Sequence, residues 1–88
     1  MKTQEVRNIL KKSQGKNIEV FLAEMIYPDE VWQKIFYDRF VRKRHATLLE
    51  IEYQNDPDKS LRTMNRRFNE IIDNNLDFLV EKLGFYLS

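Results

Sequence analysis

The sequence predicts a small all-α protein, a bundle of about four helices formed by a single domain over residues 1–88. Three observations lead to this prediction. The chain contains only two glycines, two prolines and no cysteine, so it has few places to turn and no disulfide. Hydrophobic residues make up 42% of it, which is too many for a disordered segment. Long stretches repeat their apolar residues every three or four positions, as one face of an α-helix does.

Two helices are predicted in the first third of the chain. Thr3 is a candidate N-cap for a short basic helix that ends at the polar residues 13–15. A second helix is predicted over residues 18–27, whose apolar side chains are dense enough to be buried on most sides. Pro28 ends this helix, because the residue before a proline is pushed out of the α region. The same proline suits the first turn of a third helix.

The third helix has two apolar faces that cannot lie on one straight stripe. One set comprises Trp32, Ile35, Phe36 and Phe40, and the other comprises Tyr37, Val41, Leu48 and Ile51. At 100° per residue the two sets are rotated by about 120° from each other. We therefore expect a kink, a break or a change of packing partner across residues 42–47.

Residues 47–54 have two interpretations. Helix is the one that we favour. However, Leu49, Ile51 and Tyr53 alternate with polar residues, which is the period-2 pattern of a half-buried strand. The alternative fold class is therefore α+β, with a short strand at 47–54.

The most regular periodicity lies in the last third of the chain. Seven apolar residues recur at intervals of three or four: Leu61, Met64, Phe68, Ile72, Leu76, Leu79 and Leu83. A turn at 55–58 precedes this stripe, Ser60 is a candidate N-cap and Gly84, with Phe85 folding back, is a candidate C-cap. The pattern predicts one continuous helix of about 24 residues, roughly 36 Å long. We expect it to pack against the third helix as an antiparallel hairpin, or against its copy in a homodimer.

Positive charge and aromatic rings coincide in the middle of the chain. Nine of the 15 lysines and arginines lie between Lys34 and Arg67, although the formal net charge is only +1. In an antiparallel hairpin these cations would merge into one surface. The candidate contacts for nucleic acid or an acidic partner are Arg39, Arg42, Lys43, Arg44, Arg62, Arg66 and Arg67, with Trp32, Phe36 and Tyr37 as aromatic anchors. The alternative is that the rings belong to the core and that the arginines form interhelical ion pairs with Glu50, Glu52, Glu70 and Asp73.

No catalytic, metal or cofactor site is predicted. His45 is the sole histidine, so one chain cannot form a Ser/His/Asp triad or a multi-histidine metal site. Asp56 begins a segment with the spacing of a calcium loop, but Leu61 and Arg67 stand where that loop requires glycine and glutamate. The two glycines lie far apart, which excludes a glycine-rich phosphate-binding loop.

The remaining patterns concern location and function. No apolar stretch approaches the roughly 20 residues of a membrane span, and no signal-peptide core precedes the first helix. We therefore expect a cytoplasmic protein that is not an enzyme and that binds another macromolecule. A protein partner is the interpretation that we favour, with the chain acting as a regulator, inhibitor or assembly factor. Its richness in Lys, Asn and Ile suggests a phage or mobile-element origin. The alternative is an RNA- or single-stranded-DNA-binding module, in which the cations contact phosphates and the rings stack on bases.

Overall fold

Helices form most of the backbone of the described residues. The computed structural model describes residues 2–13 and 29–83, and these ranges contain five α-helices and no β-strand. The helices are α1 (Lys2–Lys12), α2 (Glu30–Phe40), α3 (Ala46–Glu52), α4 (Leu61–Asn74) and α5 (Leu76–Lys82), with a 3₁₀ turn at Pro57–Lys59 before α4. The all-α fold class is confirmed: residues 47–52 are helical and residues 53–54 form a turn, so the alternative strand at 47–54 is wrong. The helix predicted over 18–27 and the cap predicted at Gly84 and Phe85 lie outside the described residues.

The helix beginnings differ in detail from the predictions. α1 starts at Lys2, so Thr3 lies inside the first turn and is not its N-cap. The Thr3 hydroxyl instead donates a hydrogen bond to the Asp73 carboxylate of α4. Asp29 is the N-cap of α2, because its carboxylate accepts a hydrogen bond from the Val31 amide at 2.8 Å. Ser60 caps α4 as predicted, since its hydroxyl accepts from the Thr63 amide.

A break separates α2 from α3 where the apolar pattern changes face. α2 ends at Phe40 and α3 begins at Ala46, so the predicted shift across 42–47 is confirmed as a turn over residues 41–45. Asp38 is 1% exposed, and its carbonyl accepts a hydrogen bond from the Arg44 amide at 3.0 Å. Lys43 adopts a positive φ of 58°, a left-handed conformation that a non-glycine residue adopts at a cost of about 1 kcal/mol.

The prediction of one long C-terminal helix is wrong. α4 ends at Asn74 and α5 begins at Leu76. The Asn75 side-chain amide donates to the Ile71 carbonyl at 2.8 Å, and in a continuous helix that carbonyl would accept from the Asn75 backbone amide. The Asn75 backbone amide donates to Ile72 at 3.2 Å instead. The break produces two helices, and α1 packs against both of them.

The core is centred on three phenylalanine rings. Phe68 of α4 lies 5.4 Å from Phe40 and 6.0 Å from Phe36, both in edge-to-face geometry, and the two α2 rings are 4.5 Å apart. The buried apolar side chains around them are Val6, Leu10, Trp32, Ile35, Leu49, Met64, Ile71, Ile72, Leu79 and Leu83. α2 and α4 therefore meet through aromatic rings, α3 packs on α4, and α1 covers α4 and α5.

Candidate functional site

The aromatic residues that the sequence singled out are mostly internal. Trp32 is 5% exposed, Phe36 is fully buried and Tyr37 is half-buried. The Lys59 ammonium nitrogen lies 5.1 Å from the centre of the Trp32 ring and the Arg67 guanidinium carbon lies 5.3 Å from it. Each of these cations is attracted by the electron-rich face of the indole. Ring and charge are thus combined within the fold, and the interpretation of Trp32 and Phe36 as core residues is the one that the structure shows.

Arg42 and Arg44 are also engaged internally, at the turn between α2 and α3. Both guanidinium groups form ion pairs with the buried Asp38 carboxylate, at 3.1 and 3.5 Å. Arg44 also forms a bidentate pair with Glu52 of α3, with contacts of 2.5 and 3.1 Å. Hydrogen bonding to Glu52 raises the pKa of Arg44, and the same bond lowers the pKa of Glu52. These two arginines stabilise the turn through ion pairs and compensate the buried negative charge of Asp38.

The arginines of α4 lie apart from that turn. Arg67 and Arg66 pair with Glu70 of the same helix, at 3.1 and 3.8 Å. Arg62 is exposed, and it forms no ion pair with any described residue. The predicted interhelical ion pairs of Glu50 and Glu52 with the α4 arginines are wrong. Glu52 binds Arg44, while the Glu50 carboxylate accepts from the Leu61 backbone amide at the start of α4.

Arg39 and Lys43 have no carboxylate partner in the described part of the chain. The Arg39 guanidinium lies 5.6 Å from the centre of the Phe40 ring and donates a long 3.3 Å bond to the Arg44 carbonyl. Its Nε is buried and has no hydrogen-bond acceptor among the described residues. The Lys43 ammonium group reaches α1, where it donates to the Leu10 carbonyl. Lys43 thus links the turn at 41–45 to the carboxyl-terminal end of α1.

The first helix adds two cations that the sequence interpretation did not include. Arg7 is 7% exposed and donates to the side-chain oxygens of Asn65 and Asn69 at 2.5 and 2.7 Å. Its guanidinium lies 5.7 Å from the centre of the Phe68 ring. Lys11 follows four residues later, so it lies on the same face of α1. That four-residue spacing within a basic helix was the one available signal, but nothing in the sequence indicated that α1 lies beside Arg39 and Lys43.

Together, Arg7, Lys11, Arg39 and Lys43 form a group that we call the basic cluster. Within the described residues, the hydrogen bonds of these side chains go only to backbone carbonyls and asparagine amides, and none of the four forms an ion pair. Burial lowers the pKa of each of them, and repulsion from Arg39 lowers the pKa of the other three further. The cluster is therefore a local concentration of positive charge that the described fold does not neutralise. Its chemistry is that of an anion-binding site.

Two further surface features involve α3 and the turn that follows it. Leu48 and Ile51 of α3 are 50% and 60% exposed. Beside Ile51, a shallow depression of about 330 Å³ is lined by residues of α3 and of the following turn, among them Tyr53, Asp56 and Pro57. Exposed aliphatic side chains next to a depression are typical of protein contact surfaces.

Comparison with known proteins gives no relative: no protein-family model, no curated protein and no solved structure matches the chain. None of the helices over 2–13 and 29–83 has the length and apolar content needed to cross a membrane. The same ranges contain no group of three or more His, Asp or Glu side chains placed to hold a metal ion. The basic cluster is therefore interpreted on its own geometry.

Proposed function

We propose that this chain is a non-enzymatic binding protein that recognises an acidic surface of a partner protein through the basic cluster. One observation carries the proposal, namely that the described fold leaves four neighbouring cations without a carboxylate. A partner that supplies negative charge would relieve their mutual repulsion, so its binding would be favoured electrostatically. In this role the chain would act in the cytoplasm as a regulator, inhibitor or assembly factor, and its composition suggests a phage or mobile-element source.

The placement of the aromatic rings argues against single-stranded nucleic acid as the partner. Proteins that bind single strands stack successive bases on exposed rings. Here Trp32 is covered by Lys59 and Arg67, and Phe36 is buried in the core. A formal net charge of +1 is also low for a protein that binds nucleic acid non-specifically.

RNA or single-stranded DNA binding remains the second candidate function, and one observation favours it. Arg62 and Arg66 are exposed one helical turn apart on α4, so they could contact successive phosphates. Binding of this kind would weaken steeply as the salt concentration rises.

A pair of matched charge reversals separates the two functions. Lys11→Glu with Lys43→Glu alters the basic cluster, whereas Arg62→Glu with Arg66→Glu makes the same charge change on α4. Each tagged variant is used to recover partners from its native cell after nuclease treatment. The proposal expects a protein that the wild type and the α4 variant retain and that the Lys11/Lys43 variant loses. Retention by both variants, or release of everything by nuclease, would contradict it.

A further inference from the structure

The basic cluster concentrates more positive charge than one carboxylate can offset. The Lys43 ammonium group donates to the Leu10 carbonyl, so the turn at 41–45 lies against the helix that carries Arg7 and Lys11. The two guanidinium groups lie over two adjacent rings. Arg7 lies over Phe68, Arg39 lies over Phe40, and the centres of these rings are 5.4 Å apart. An aspartate or glutamate brings a single negative charge, whereas a phosphoryl group on a side chain brings about −1.5 to −2 at pH 7 together with three acceptor oxygens. The ligand that best matches the cluster is thus a compact group with more than one negative charge.

The two arginines are suited to the oxygens of such a group. The Arg7 guanidinium is held in place by Asn65 and Asn69, so little side-chain entropy would be lost when it binds an anion. Among the residues that the structure describes, Arg39 has no acceptor for its Nε–H and only a long bond from Nη1 to the Arg44 carbonyl. This Nε atom is not accessible to solvent, so the terminal nitrogens of the guanidinium are the donors that would contact a phosphoryl oxygen. Arginine's planar fork matches phosphate oxygens in a two-point contact.

The Lys43 backbone gives an independent indication that this place is functional. A positive φ at a lysine is unfavourable, and glycine would occupy the position without cost. The conformation nonetheless places the Lys43 ammonium group against the carboxyl-terminal end of α1. Strained backbone that persists in a protein is concentrated at binding sites.

We propose that the basic cluster binds a phosphorylated side chain of the partner protein, an inference that rests on the proposed function. Phe40 and Phe68, the rings beside the cluster, are fully buried, whereas a nucleic-acid strand would require exposed rings for its bases. The ligand is therefore a single phosphoryl group carried on a peptide, with Arg7 and Arg39 contacting its oxygens and Lys11 and Lys43 adding charge.

The test is a titration of the ¹⁵N-labelled full chain, followed by amide chemical shifts. Three probes are compared: the peptide Gly-Gly-phosphoserine-Gly-Gly with blocked ends, the same peptide with glutamate in place of phosphoserine, and hexaglutamate. We expect the phosphoserine peptide to bind at least about tenfold more tightly than its glutamate counterpart. The reason is that a phosphoryl group carries a charge of about −1.5 to −2 at pH 7, whereas a glutamate carries a single negative charge. The shifts should concentrate at residues 7–11 and 39–44.

Matched variants locate the binding. Lys11→Met with Lys43→Met should weaken the phosphoserine peptide by about tenfold or more, whereas Arg62→Met with Arg66→Met should leave it within about twofold. Hexaglutamate binding at the cluster with no preference for phosphoserine would overturn this inference and leave the proposed function standing. Absence of binding by all three probes would overturn both. A ten-residue oligothymidine is titrated separately as the nucleic-acid comparison, and tighter binding of it at the same residues would overturn both in favour of nucleic acid.

Discussion

Phe68 is the side chain through which three helices contact one another, and its replacement by alanine is the most informative test of the fold. The ring is fully buried. It meets Phe36 and Phe40 of α2 edge-to-face, and the Arg7 guanidinium of α1 lies over it at 5.7 Å. Phe68→Ala removes all of these contacts and leaves a cavity, because the surrounding rings can close in only partly.

The expected loss is large relative to the stability of so short a chain. Truncating a buried phenylalanine to alanine costs about 3–5 kcal/mol. At roughly 0.05–0.15 kcal/mol per residue, 88 residues give a total of about 4–13 kcal/mol. Phe68→Leu keeps most of the apolar volume but loses two ring pairs at about 0.5–1.5 kcal/mol each, so we expect it to cost about 1–3 kcal/mol.

Urea unfolding measures both losses, with far-ultraviolet circular dichroism reporting helix content and Trp32 fluorescence reporting core packing. Phe78→Ala is the control, because Phe78 on α5 is only half-buried and its truncation should cost clearly less. If Phe68→Ala unfolds the chain entirely, the loss in the free energy of unfolding of Phe68→Leu can still be compared with that of Phe78→Ala. A loss below about 1.5 kcal/mol for Phe68→Ala, or one equal to that of Phe78→Ala, would refute the placement of this ring at the centre of the core.

Three further perturbations have definite expectations. Ser60→Ala should lower the free energy of unfolding by about 1 kcal/mol through loss of the α4 N-cap. Ser13→Ala is the control: its hydroxyl donates to the Ile9 carbonyl near the end of α1, and the loss should stay within about 0.5 kcal/mol. Equal losses in chemical denaturation would contradict this role of Ser60. Lys43→Gly should be about 1 kcal/mol more stable than Lys43→Ala in thermal unfolding, because both lack the ammonium group and only alanine retains the cost of a positive φ; equal stability would argue against the left-handed conformation. Because Arg44 lowers the pKa of Glu52 from its ordinary 4.5, the carboxylate stabilises the folded state fully above pH 4.5 and loses that contribution as pH falls through the lowered value. Stability should therefore decline more steeply with acid in the wild type than in Glu52→Gln, and parallel acid profiles would exclude the contribution.

Local patterns predicted the parts of the fold that depend on neighbouring residues. Helical spacing of the apolar residues predicted the all-α class, and the change of apolar face predicted the break at 41–45. The hydroxyl of Ser60 predicted the start of α4. The break at Asn75 could not be seen, because Leu76, Leu79 and Leu83 continue the apolar stripe in phase. It results from a competition between the Asn75 side chain and its own backbone for the Ile71 carbonyl, which periodicity does not register.

The candidate site was predictable only in part, because its members come from distant positions of the chain. Arg39 and Lys43 were identified from charge density, and both belong to the basic cluster. The same charge density also pointed to Arg42 and Arg44, but these two arginines form ion pairs with Asp38 and Glu52. Whether an arginine is paired depends on tertiary neighbours, and composition does not report these. Arg7 was overlooked because its contacts with Phe68, Asn65 and Asn69 arise from packing between helices.

The separation in sequence between α1 and its contacts sets the order in which the molecule can assemble. Arg7 bonds to residues 58 and 62 positions later, and Thr3 bonds to a residue 70 positions later, whereas the ion pairs of the turn at 41–45 span only four to eight positions. α1 is synthesised before α4. At a synthesis rate of about 5–20 residues per second, several seconds pass before α4 has emerged from the ribosome and α1 can contact it. The turn can form early from local contacts, but the basic cluster exists only after α1 has docked. A ligand of the cluster would therefore bind the completed fold alone, and by mass action it would hold α1 in place.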